Sequence, residues 1–261
     1  MSQGPPFTLP SEDDVIAALG PEERERIGRE WLRRAEVELT AAAFTAQIVH
    51  GLLTDGVTPE VLSLAAQAVA DEVRHGRICH EVAERYLGSS VPPPRARPSE
   101  EPVYGDCPPP LSRLLGFVMH ACVNETLATV CLREGMSLCV SPTAKAATQH
   151  LLRDDLNHAR MGWAHLASAH VDAEAKQHIG RALPLLLRLG YDGWMAEPRA
   201  PFDAPEHGVL GQPRFERLMS SALEEIVLPG FDHVGVETSA ARAWAKGLIA
   251  STPSGSPSSS S

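Results

Sequence analysis

Asp71-Glu72-Val73-Arg74-His75 and, further along, Asp154-Asp155-Leu156-Asn157-His158 are two versions of one acidic pentad. Each lies in a stretch whose apolar residues recur at helical spacing, and in each a carboxylate precedes a histidine by three positions. On a 3.6-residue period those two side chains leave the helix on the same side, about one turn apart. That arrangement suits a metal ion. Upstream of each pentad another helix-like stretch carries one glutamate among small apolar residues, Glu38 before Leu39-Thr40-Ala41-Ala42-Ala43 and Glu125 after Ala121-Cys122-Val123-Asn124. The chain thus states one unit twice: a helix with a lone Glu, then a helix with Glu or Asp three residues before His.

One Glu from each of two helices and a Glu-x-x-His from each of two others is the pattern of di-iron carboxylate bundles. On these residues the chain resembles the ferritin-like di-iron carboxylate superfamily over roughly residues 25 to 172, and Asp-Glu-x-Arg-His and Cys-Val-x-Glu-Thr look like phrases of uncharacterised bacterial ferritin-like proteins. The resemblance implies an all-α fold, a ferritin-like four-helix bundle with a long crossover between its second and third helices. It also implies two Fe ions, with Mn or a mixed Mn/Fe pair admissible. Glu38, Glu72 and His75 would form one half-site, and Glu125, Asp155 and His158 the other. The chain departs from the family at Asp155, where Glu is usual. Four carboxylates balance the charge of two divalent ions, which is how such a cluster tolerates a dry core, and imidazole holds an ion without adding charge.

Asp71 and Asp154 stand four residues before the two histidines, and each is suited to accept from the second nitrogen of an imidazole, including that of the other helix. Glu36 is the rival of Glu38 but points to the other side of its helix. His80, His120, His150 and His165 are further histidines near the same helices and read as structural or exposed. His150 stands five residues before Asp155, where a likeness to N-oxygenases with a third histidine ligand would want four. Tyr86 lies too far beyond His75 to suggest a radical site beside the metal.

With 261 residues, 43% hydrophobic and 21% charged, the chain can bury one sizeable core. A formal charge of -10 offers no basic stripe for nucleic acid or anionic lipid. Neither a continuous apolar run of membrane length nor a signal-peptide start is visible, so a cytoplasmic protein is expected. The five cysteines form no Cys-x-x-Cys pair, and Cys79 and Cys122 fall on apolar helix positions as small buried hydrophobes.

Residues 1–23 read as a lead-in with a short amphipathic patch at Asp13 to Leu19, capping a bundle at 24–172. Four long helices are predicted: Glu23 to Leu53, then from the Thr58 N-cap to Leu87, then Leu111 to Leu138 and Thr143 to His170. Thr54-Asp55-Gly56 and Gly88-Ser89-Ser90 end the first two. The proline-rich stretch Val91 to Pro110 cannot be regular helix and sits where a crossover is needed. A C-terminal extension, 173–250, holds three shorter helices (Ala173 to Leu189, Pro213 to Ile226, Thr238 to Ala250), and the Ser/Pro tail 251–261 is expected to be disordered.

These readings favour a non-haem di-iron oxidoreductase that activates O2 to hydroxylate, N-oxygenate or cleave a small organic substrate, served by an electron donor, with a homodimer admissible. The alternative is a ferroxidase, iron-handling or peroxide-scavenging protein of ferritin or rubrerythrin type. A third reading is a helical shell that serves as a binding module.

Overall fold

The computed structural model describes residues 7–97, 104, 107–197 and 199–251. Among them the chain is helical, with no strand beyond an isolated bridge between Ala204 and Val209. A single turn, α1 (Asp14–Ala17), leads into α2 (Pro21–Asp55) and α3 (Pro59–Leu87). Then come α4 (Pro109–Leu138), α5 (Pro142–Ala167), α6 (Ala173–Ala196), α7 (residues 212–233) and α8 (Ser239–Ser251).

The long helices end where backbone chemistry requires it. Gly56 and Gly88 take φ of 70° and 69°, a left-handed conformation open to glycine at little cost, and so close α2 and α3. At the other end Thr58 occupies the N-cap of α3 as expected, though its side chain makes no cap bond. Pro59, which lacks the N–H that a first turn leaves unused, is the first helical residue. For the same reason α4 begins at Pro109, inside the stretch expected to be non-helical, while residues 91–97 are not helical. The rest of that connection, apart from Tyr104, Cys107 and Pro108, lies outside the described residues. So do residues 1–6 of the lead-in and 252–261 of the tail.

Two further departures concern helix interiors. The third long helix is not uniform: Val118–Asn124 within α4 is π-helical, placing one wide turn directly before Glu125. In the C-terminal part, α6 runs past the expected end at Leu189 to Ala196 and keeps Pro184 inside it. Residues 212–233 pass the expected end at Ile226 through a second π-helical stretch, Leu223–Val227.

Packing joins α2 to α3 and α4 to α5 as antiparallel pairs, and α3 lies against α5. Gly76 of α3 sits so close to α2 that an added Cβ would meet Leu39 at 2.9 Å. One apolar cluster includes Trp31, Ala35, Ile78, Val82 and Leu151; another joins Val118, Cys122 and Leu127 of α4 to Leu183, Phe215 and Phe231 from the C-terminal helices. Cys79 and Cys122 are fully buried, and all five cysteines are free. Two described helices, α2 and α4, have the length and apolarity of a membrane span, but the apolar part of α4 is mostly buried within the molecule, as in a core helix.

Asp13 ties the lead-in to the body. One carboxylate oxygen caps α1 by accepting from Val15 and Ile16 N–H, each at 3.1 Å, and the other accepts from Ser141 Oγ at 2.6 Å and Thr143 N at 2.9 Å, at the start of α5. Ser141 in turn accepts from the Tyr86 hydroxyl at 3.2 Å, and Tyr86 Oη lies 2.9 Å from His207 Nδ1. His207 sits in a short turn, Pro205–His207, whose backbone also receives the Trp31 indole N–H at 3.1 Å. Burial holds the His207 pKa below its usual 6.5. The unfolded chain therefore takes up this proton first as pH falls, so stability present above pH 6.5 is lost on acidification. Urea midpoints measured at pH 7.5 and 5.0 should fall further for the parent than for His207→Gln; equal falls would remove His207 from the account.

Candidate metal centre

Four helices each send acidic or imidazole side chains into one buried region. Glu72, His75, Glu125, Asp155 and His158 are buried, and Glu38 is half-buried at the edge. Glu38, Glu72 and His75 can each place a donor atom within 4.8 Å of the others, as can Glu72, Glu125, Asp155 and His158. Glu72 is common to both groups. Its Oε2 lies 3.3 Å from His75 Nδ1 and its Oε1 3.3 Å from His158 Nδ1. Asp155 Oδ1 lies 3.6 Å from His75 Nδ1 and 3.8 Å from His158 Nδ1, while Glu125 Oε2 is 3.5 Å from His158 Nδ1 and Glu38 Oε2 is 3.9 Å from His75 Nδ1. Donors that share one divalent ion at about 2.1 Å stand roughly 3 Å apart, so these spacings are short enough for the donors to hold a metal ion. The two groups contain the two expected half-sites, with Glu72 common to both and Asp155 also near both histidines.

The histidines are oriented from behind, each by the other helix's aspartate. His75 Nε2 lies 3.3 Å from Asp154 Oδ2, and His158 Nε2 lies 3.3 Å from Asp71 Oδ2. With Nε2 of each ring turned to a carboxylate, Nδ1 faces the cluster. Arg74 binds both aspartates, with Nη2 at 2.5 Å from Asp71 Oδ1 and 2.7 Å from Asp154 Oδ2, and donates through Nε to His150 Nε2 at 3.1 Å. One guanidinium therefore joins the two pentads and balances part of their charge.

Three atoms in this cluster, His75 Nδ1, His158 Nδ1 and Asp155 Oδ1, are buried without a hydrogen-bond partner. Buried polar atoms are rarely left so, and three that face one another fit cations. The electrostatics agree. Burial and the Glu72 charge push Glu38 up to about 7, and burial with the Glu125 and Glu72 charges raises Asp155 strongly. Burial also works to raise Glu72, but the imidazoles of His158 and His75 outweigh it and bring Glu72 well below the carboxylate range. Burial alone would lower both histidines; Asp154 and Glu72 hold His75 far above its usual value, and Asp71, Glu125 and Glu72 do the same for His158. Without cations the cluster needs protons to moderate its charge, and divalent ions would replace them.

Glu36 belongs to neither group of donors. His80 lies 3.2 Å from the Val91 carbonyl, and the buried His165 ring stands edge-on to Phe117 at 5.0 Å between centroids. His120, among the histidines read as structural or exposed, is buried, with Nε2 3.2 Å from Glu125 Oε1 and 2.8 Å from Thr45 Oγ1. Five residues separate His120 from Glu125, which in a regular helix puts them on different sides. In the π-helical turn the Glu125 N–H bonds back to the His120 carbonyl, and both side chains share a face.

A cavity of about 430 Å³ opens onto the cluster, with Glu38, Glu72, Glu125 and Asp155 in its wall. No family model, curated protein or solved structure matches this chain.

Proposed function

We propose that the chain is a di-iron carboxylate protein of ferritin-like bundle architecture that uses O2 to oxidise a small organic substrate. The observation carrying this reading is the pair of buried imidazoles, each fixed through Nε2 by an aspartate and each turning an unpartnered Nδ1 towards shared carboxylates. Two helix hairpins joined by a long connection suit the bundle topology.

In this proposal Glu38, Glu72 and His75 would hold one ion, and Glu72, Glu125, Asp155 and His158 would hold the other. Bound iron would supply the redox chemistry that activates O2. The chain's own part is to aim both imidazoles. Asp154 and Asp71 accept from Nε2, and Arg74 keeps those aspartates ionised. Burial excludes bulk water, and His120 holds Glu125 from the side of the cavity. That cavity favours organic oxidation over iron storage, because a ferroxidase centre requires no chamber of this size beside it.

Anaerobic loading with Fe(II) should give about two iron ions per chain, followed by O2 uptake and an optical change on exposure to air. Failure to retain metal after reconstitution, or retention of zinc alone, would sink the proposal. A 24-subunit particle by light scattering would move the reading to storage.

A further inference from the structure

Four arginines, Arg33, Arg34, Arg97 and Arg199, line the cavity that opens onto the carboxylate and histidine cluster, and they are not equally satisfied. Arg33 donates to Glu30 at 3.1 Å, and Arg97 to Glu197 at 2.7 Å. Among the described residues Arg34 has one carboxylate partner, Glu38 at 3.6 Å, a group that a bound metal would claim, and it lies over the Trp31 ring at 5.2 Å. Arg199 has none: among the described residues no carboxylate lies within 4.0 Å of it, and its Nε is buried without a hydrogen-bond partner. The guanidinium lies instead over the Phe215 ring, 3.3 Å from its centroid, and 5.6 Å from the centroid of Trp194, whose ring is stacked with that of Phe215.

A guanidinium cannot give up its charge at neutral pH, and a largely buried one without an anion is costly. Burial lowers the Arg199 pKa only to about 10, with Arg33 and Arg34 adding to the effect, so the cation persists. The aromatic contact offsets part of that cost and leaves the N–H donors unused. Away from this cationic end the wall is apolar, with Val37, Met119 and Leu189. Once the cluster's carboxylates are matched by metal, the unbalanced charge of the chamber is positive.

We infer that the cavity takes an organic anion, a carboxylate or phosphate monoester head held by Arg199 with Arg34 beside it, whose apolar body lies against the apolar part of the wall. This rests on the proposed reading of the cluster as the reaction centre, and it names the class of substrate. Arginine's planar fork suits either head group, and an uncharged analogue would leave the fork unpaired.

The test uses octanoate, octyl phosphate, octanamide and octylamine as probes, titrated against the full-length protein loaded with Mn(II) and followed by tryptophan fluorescence, since Trp194 and Trp31 line the cavity. At least one anion should bind at least about tenfold more tightly than the amide and the amine. Arg199→Gln should reduce that anion to the level of the amide, whereas Arg199→Lys, which keeps the charge, should retain part of the preference. Equal binding of anion and amide to the parent protein would overturn the inference. So would a preference that survives intact in Arg199→Gln, because the head group would then sit on the metal. The same titration on metal-free protein separates the two readings. An Arg199-dependent preference in a chain that retains no metal would sink the di-iron proposal and leave the anion site, and full metal content without a preference would do the reverse.

Discussion

Glu72→Ala should abolish binding of both metals, with a fall in affinity of at least about a hundredfold, above what the loss of a partner behind a ligand costs. Glu72 is the carboxylate within reach of donors in both groups, with one oxygen 3.3 Å from each inward-facing imidazole nitrogen. Its removal takes away the shared ligand and leaves His75 and His158 facing across a gap. Glu38→Ala, by contrast, removes an end ligand beside His75 only, and should leave close to one ion bound. Glu36→Ala, on the same helix but outside both groups, should leave metal content unchanged. Metal content should be read together with the rise in Tm on adding metal, because a ligand that binds only the folded state raises stability by mass action. The parent should show that rise and Glu72→Ala should lose it while remaining helical by circular dichroism. A Glu72→Ala protein that still retained two ions would refute the shared-ligand assignment.

What the sequence made legible here is what helical periodicity governs. The three-residue spacing places Glu72 with His75, and Asp155 with His158, whatever the neighbouring helices do. Small residues around Glu38 and Glu125 mark faces where other helices come close, and Gly56 and Gly88 mark helix ends by the conformation they alone adopt easily. Contacts that depend on tertiary placement were not legible. Arg74 stands in plain view within the first pentad, but its bond to Asp154 exists only because α3 packs on α5. The contact of His120 with Glu125 depends on a turn that is π-helical, and no local residue announces that widening. Arg199 lies beyond the long helices, between α6 and the Pro205–His207 turn, and only the fold brings it to a cavity that begins at Glu38.

The largest structural effect is expected at Gly162, which has no place in the chemistry. A Cβ built there would stand 2.6 Å from the carbonyl carbon of Ala121 and 2.7 Å from its oxygen, atoms of a helix backbone that cannot swing aside as a side chain would. Helix α5 must therefore move away from α4. Overpacking of this kind costs about 3 kcal/mol, and Gly162→Ala should lower Tm by roughly 10 °C in a chain of this size. Gly247→Ala, in an exposed helical position with open space around it, should be neutral or stabilising. The displacement also has a direction. Gly162 lies one turn beyond His158 on the same face of α5, and Ala121 lies one turn before Glu125 on α4, so the pair Gly162–Ala121 sits directly beside the pair His158–Glu125. Parting the helices at the first pair widens the 3.5 Å separation at the second. The group around Glu125 and His158 should then lose affinity for its ion while the group of Glu38, Glu72 and His75 keeps its own. A Gly162→Ala protein that unfolds at a lower temperature and binds one ion tightly and one weakly would show both consequences; undiminished stability would mean that α4 and α5 approach less closely than the Ala121 contact requires.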